Sequence, residues 1–320
     1  MRLKRELAEV RMERDLLKKG SRVFCEGVAA RYEIMKAMRL MYSITKMCHF
    51  FKVSASGYYK WLTNSPSKRS IEERRLELEI KAAHNRTRQT FGPERLQRNL
   101  ALNGVNIGIC RIRRIRKKLG IKCKQIKKFK ATTNSKHTFP VAEDLLHQKF
   151  QVTGSNQVWV SDLTYIPTKE GWLYCAAHKD LFNGEIVGYA LGPRITTELV
   201  KQSLLRAVAL KQPGKGLIHH SDRGSQYCAH EYQGLLHRLG MKTSMSRKGN
   251  CYDNAPMESF WGIMKSELVN HQHYQTRKEA MQEITEYIEV FYNRQRYQKR
   301  LGYLPPVLYG RQFSAQRVAA

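Results

Sequence analysis

The chain has 320 residues, 42% of them hydrophobic, and carries 57 Lys+Arg against 27 Asp+Glu, a formal net charge of +30. That length allows about two domains, the apolar share argues against global disorder, and the charge points to a polyanionic partner, nucleic acid or an anionic membrane surface. No apolar run approaches the ~18–20 residues of a membrane span, no secretory stretch opens the chain, and seven scattered cysteines without a C-x-x-C pair argue against a disulfide framework or a zinc ribbon and fit a reducing cytosol.

The charge is uneven. Residues 1–150 hold 36 Lys+Arg and 13 Asp+Glu, whereas 151–320 hold 21 and 14, so a cationic binding part precedes a more ordinary globular part. Residues 1–27 form a basic helix with Leu3, Leu7, Val10, Leu17 and Phe24 at seven-residue-repeat positions, interrupted by Arg14. Two readings stay open for it: the tail of an oligomerising coiled coil, or a solvated amphipathic helix. Residues 28–66 read as short helices with a break before Ser54, Ser56 and Gly57, the pattern of a helix-turn-helix. A second helical module is expected over 67–125, with Pro93 opening one helix and Gly104 ending it. On its last helix Ile109, Ile112, Ile115 and Leu119 make an apolar stripe, and Arg111, Arg113, Arg114, Arg116, Lys117 and Lys118 are expected to face duplex DNA. Residues 126–148 read as a basic linker.

From about residue 149 the periodicity changes. The runs 157–167, 172–181 and 185–191 are strand-like, and Asn183-Gly184 between the last two predicts a two-residue type I′ hairpin turn. Helix at 196–210, strand at 216–222, helix at 230–240, strand at 241–246 and helices at 255–269 and 276–294 follow, with Asn254 as the expected N-cap of the first of these two. The expected fold is a mixed α/β sheet with helices on its faces, over 149–312, followed by a short tail at 313–320.

Three acids in this part sit where a charge is awkward. Asp162 lies inside a strand, Asp222 follows a buried-type strand, and Glu258 lies in the first turn of a helix, whose dipole should keep it ionised. Taken singly, each has an ordinary structural explanation. Taken together, three carboxylates without a His/Cys cluster describe an oxygen site for a hard cation, Mg²⁺ or Mn²⁺, and two such ions suit phosphoryl transfer. His219, His220 and Ser221 alternate faces along a strand and cannot form a relay triad with Asp222.

The segments WVSDLTYI, HHSDRGSQY and GNCYDNAPMESFWGIMKSEL resemble the catalytic signature of OrfB-type transposases of the insertion-sequence-three family, relatives of retroviral integrases. Fifty-nine residues separate Asp162 from Asp222 and 35 separate Asp222 from Glu258, the latter being the family's hallmark spacing. Lys265, seven positions after the glutamate, matches the family's basic residue, YNRQRYQKRLGYLPP its closing motif, and SASGYYKWL and TFGPERLQRNL its helical DNA-binding region. Gln298 stands where the family usually has His, and Asn183-Gly184 where it has Ser-Arg.

The resemblance implies an RNase H-like core with Asp162, Asp222 and Glu258 as catalytic metal ligands and Lys265 on a phosphate near the scissile bond. The implied reaction is cleavage at element ends followed by attack of the freed 3′-OH on target DNA. The implied partners are double-stranded DNA (terminal repeats and target), further copies of the chain on DNA and an upstream-frame product, with no membrane. The implied place is the bacterial cytoplasm, at the nucleoid. A non-catalytic DNA-binding regulator or inactive remnant, and a nuclease acting on RNA–DNA hybrids, are the competing readings.

Overall fold

The computed structural model describes residues 2–20, 27–63, 67–125, 140–248 and 250–319. The chain divides into two compact units, Met1–Leu76 and Glu77–Ala320.

The first unit holds α1 (Arg2–Gly20), α2 (Val28–Met38), α3 (Ile44–Phe51), α4 (Ala55–Thr63) and the start of α5 (Lys68–Arg86). Its core is Met12, Leu16, Tyr32, Met35, Met38, Met47, Cys48, Phe51 and Tyr58. The expected break is real: Lys52 takes φ 52°, the left-handed region that ends a helix, and Ser54 Oγ accepts the Gly57 amide at 3.0 Å to start α4. Two apolar stripes run along α1. Met12 and Leu16 enter the core, while Leu3, Leu7, Val10 and Leu17 remain exposed, because a helix that docks along one stripe must turn the neighbouring stripe outward. Phe24 lies outside the described residues.

The second unit begins with the rest of α5, α6 (Pro93–Leu102) and α7 (Ile109–Lys118). Ile80, Ala83, Phe91, Leu96, Leu100, Ile112 and Ile115 are buried. This module is seated on the C-terminal part of the same unit: the Phe91 ring meets Tyr297 at 5.2 Å, and Tyr303 Oη donates to Glu94 at 2.6 Å. Of the expected linker, 126–139 lies outside the described residues. Its end, by contrast, belongs to the core, with Leu146 buried and the Leu145 amide donating to Ser244 Oγ at 2.9 Å.

The sheet holds β1 (Val158–Thr168), β2 (Gly171–Asp180), β3 (Ile186–Gly192), β4 (Ile218–Ser221) and β5 (Lys242–Met245) in the order β3-β2-β1-β4-β5. The first three strands pair antiparallel, and β1 with β4 and β4 with β5 pair parallel. Trp159, Ala176, Val187 and Ala190 pack against Leu199, Val200 and Leu204 of α8 (Thr197–Lys211) and Tyr232 and Leu236 of α10 (His230–Arg238). Gly188 permits this: a Cβ there would stand 2.5 Å from the Ser203 carbonyl oxygen.

The β2–β3 connection is not the expected two-residue turn. It runs over five residues, 181–185, and of the Asn-Gly pair only Gly184 has positive φ, +74°. The cause lies partly within the loop and partly outside it. The Asn183 side chain bonds Glu185, and Arg300 lies where a Gly184 Cβ would be. The long helix expected at 276–294 is α12 (Arg277–Glu286) followed by a π-helical stretch, Tyr287–Tyr292, and α13 (Pro306–Ala319) closes the chain.

Candidate active site

Side chains of consecutive strand residues point to opposite faces. On β1, Ser161 turns to one face, where its hydroxyl lies 3.1 Å from His219 Nε2. Asp162 turns to the other, where Trp261 of α11 (Ala255–Glu267) donates its indole N–H to Oδ2 at 3.1 Å. Oδ1 accepts the Leu163 amide at 2.8 Å. Burial pushes the Asp162 carboxyl well above the usual carboxylate range, and the charge of Asp222, with a further part from Glu258, pushes it the same way. The three acids expected to act together are thus electrostatic neighbours although they come from β1, the end of β4 and α11.

Asp222 leaves β4 and accepts the Gly224 amide on Oδ1 at 2.9 Å, just before α9 (Ser225–Cys228). Glu258 stands at the surface of the first turns of α11. What burial it has raises its carboxyl. Asn254 also departs from its expected role. Its side chain makes no cap hydrogen bond, and its Nδ2 donates to the Ser161 carbonyl at 3.1 Å, tying the start of α11 to β1.

A second tie is Lys179. Its buried ammonium donates to the Pro256 carbonyl at 2.8 Å, two residues before Glu258, and burial, with Arg300 and Arg296 nearby, pulls it down to about 7. Lys265, two turns after Glu258, sits 4.5 Å from the centroid of the Tyr165 ring. Burial lowers its pKa, and the Asp162 charge opposes that shift.

The donor set is oxygen only, the kind that takes a hard divalent cation. A cation would also relieve the like-charge field that holds the Asp162 carboxyl up. Among the described residues no three His, Cys, Asp or Glu side chains stand as a closed ligand cluster. The Asp162 oxygens are engaged by Leu163 and Trp261, and one Asp222 oxygen turns back to Gly224. The residues fit the ion in charge and donor type.

The histidines before Asp222 are structural. His219 bonds Ser161, His178 and Tyr232 on one face of the sheet, and His220 bonds Ser244 and Ser246 from the next position. On α7, Arg113, Arg114 and Lys117 are exposed, Arg111 is half-buried, and Lys118 is exposed but ion-paired with Glu77. Arg116 contradicts the expectation of a DNA-facing cation: it is buried and donates to the Phe91 carbonyl at 3.0 Å. The pattern could have warned of this, since Arg116 lies four residues after Ile112 on the same stripe. Trp261 was likewise findable, three residues after Glu258 on one helix face. Nothing local marks Lys179 or Tyr165.

The chain matches the Integrase core domain family over residues 152–251 and again over 258–313, and the HTH-like domain family over 70–129. It is 56% identical to the insertion element IS600 uncharacterized 31 kDa protein of Shigella sonnei, over 82% of this chain and 97% of that protein. It is 40% identical to the transposase for insertion sequence element IS904 of Lactococcus lactis (75% and 95%) and 34% identical to transposase InsF for insertion sequence IS3A of Escherichia coli K12 (86% and 96%). Among solved structures, the HTLV-2 integrase catalytic core domain in complex with magnesium shares 16% identity with a TM-score of 0.39, over 48% of this chain and 96% of that one.

Proposed function

The chain belongs to the insertion-sequence transposases that carry an integrase core domain, and from that membership we propose how its residues carry out DNA cleavage and strand transfer. Asp162, Asp222 and Glu258 hold Mg²⁺ or Mn²⁺, two ions, at the scissile phosphodiester. Bound there, such cations would supply Lewis acidity to the phosphate.

The chain's own part is positioning and field. Trp261 and the Leu163 amide hold the Asp162 carboxylate in one orientation. Asn254 and Lys179 fix the start of the helix that presents Glu258. Lys265 offers a cation to a non-bridging phosphate oxygen beside the reacting one. Water attacks the end phosphodiester and leaves a 3′-OH, and that hydroxyl then attacks a target phosphodiester. Each step exchanges one P–O bond for another and needs no covalent protein intermediate. Duplex DNA is held by the cationic helices, with Arg113, Arg114 and Lys117 among the contacts, by several copies of the chain on one DNA.

The observation that carries this reading is the 3.1 Å bond from the Trp261 indole to Asp162, which ties that acid to the helix presenting Glu258 and Lys265; burial and the charge of Asp222 raise the Asp162 carboxyl. Carboxylates with shifted protonation that gather at one place in a fold are candidates for chemistry. The test is Mg²⁺-dependent strand transfer on DNA carrying the element's own ends. We expect it to vanish in Asp162→Asn, Asp222→Asn and Glu258→Gln while DNA binding persists. Strand transfer in all three variants would remove the assignment, and absence of cleavage by the parent chain with either metal would favour a regulator or remnant.

A further inference from the structure

Three of the four tryptophans are packed away to varying degrees: Trp159 and Trp261 are buried and Trp61 is half-buried. Trp172 is 44% exposed. It is also firmly held. It opens β2 opposite Pro167, its carbonyl accepts Arg277 Nε at 3.0 Å, and its indole meets the Tyr165 ring edge to face, with centroids 4.9 Å apart and planes at 89°. An exposed indole with a fixed backbone and a fixed aromatic neighbour is a surface prepared for another ring.

Its place says which ring. Tyr165 carries the Lys265 ammonium over its face at 4.5 Å, and Lys265 in turn feels the Asp162 charge. The two rings are thus linked, through the ammonium over Tyr165, to the helix that presents Glu258 two turns earlier. Cations stand close by, Lys265 over the Tyr165 ring and Arg277 on the Trp172 main-chain carbonyl. Alternating π-face and cation is the chemistry of a nucleic-acid strand, in which a base stacks and its phosphates are neutralised. A paired base in a duplex offers only its edges, so a ring can lie on the indole only once its pair has opened.

We propose that Trp172, backed by Tyr165, is a stacking platform for an unpaired DNA base next to the scissile phosphate. This rests on the reading that Asp162, Asp222 and Glu258 hold that phosphate. Opening the terminal pair and stacking its base on the indole would draw the scissile bond toward the carboxylates and keep the strand from re-annealing.

The experiment uses the full chain and duplex element-end DNA with 5-iodouracil in turn at each nucleotide flanking the scissile phosphate. Samples are irradiated with Ca²⁺ present, and adducts are mapped by mass spectrometry. We expect an adduct on Trp172 at one position, also in Asp162→Asn. Trp172→Ala should lose it and bind an end with a frayed terminal pair about tenfold more weakly, while binding internal duplex within about twofold of the parent. Trp172→Phe should restore most of the frayed-end affinity, which excludes misfolding as the cause. An unchanged frayed-end affinity in Trp172→Ala, or adducts elsewhere and never on Trp172, overturns the platform. Because the adduct does not require catalysis, a chain that fails to cleave yet forms it retains the platform and loses only the catalytic assignment.

Discussion

The guanidinium of Arg296 lies in the interior, with Nε and Nη2 donating to the two oxygens of Glu267 at 2.9 and 2.8 Å, and Tyr287 Oη adds a third bond at 2.8 Å. Glu267 ends the helix that carries Glu258 and Lys265, so this pair sets the far end of the element whose start Asn254 and Lys179 hold. Removing one partner strands a buried charge, and Arg296→Ala should cost about 3–5 kcal/mol in equilibrium urea unfolding. Lys179 behaves differently, because its charge has no carboxylate partner. Its folded pKa of about 7 lies below the unfolded value. Between roughly pH 7 and 10.4 the unfolded state therefore binds more protons, and stability rises with pH across that window. Lys179→Met should accordingly melt higher than the parent at pH 6.5, with the gap shrinking toward pH 10. A gap that widens with pH would show that the ammonium stabilises the fold. At this scale the acids were readable from the sequence by type and spacing. The partners of the groups that hold them were not, because Lys179 and Trp261 reach theirs across 77 and 99 residues of chain.

Elements were legible wherever local chemistry chose them. Thr196 caps α8 by accepting the Leu199 amide at 3.2 Å, and Ser54 caps α4, both as their residue types suggest. The misses came where a distant segment overrode a local signal. Asn183-Gly184 is a strong hairpin signal, yet Asn293, through its side-chain amide, bonds both backbone groups of Ile186, and Arg300 donates to the Phe182 carbonyl, so the turn is shaped by the closing motif. Gln298 is part of the same set of contacts: its side chain is buried and accepts from Arg300, a structural position rather than a surface one. Gly188 is the element-scale counterpart of a buried side chain, since α8 lies directly over it. Gly188→Ala should overpack this seam and lower stability by about 1–3 kcal/mol, read as a lower urea midpoint at unchanged slope.

On the scale of the whole molecule the charge asymmetry becomes a binding prediction. If the cationic helices cover 6–10 phosphates, affinity for duplex should fall about 10³–10⁵-fold between 50 and 200 mM salt. Exposed cations contribute to that slope and buried ones do not. Arg113→Ala with Lys117→Ala should reduce the log–log salt slope by about two. Arg116→Ala should leave the slope and lower the melting temperature instead, because its guanidinium holds the Phe91 carbonyl from inside the module. Equal slopes for the parent and the double variant would move the DNA contact away from α7.

The amino-acid order alone determined the family, the mixed sheet, the spacing of the three acids and the cationic character of the first half, since each is written in residue type and short-range period. Tertiary structure decided which members of a pattern do which work: that Arg116 turns inward while Arg113 turns outward, that Asp162 shares its field with acids 60 and 96 positions away, and that Trp172 stays at the surface while Trp159 does not. Burial and charge coupling are properties of what the folded chain brings alongside a residue, and a linear pattern holds no record of neighbours that arrive from so far along it.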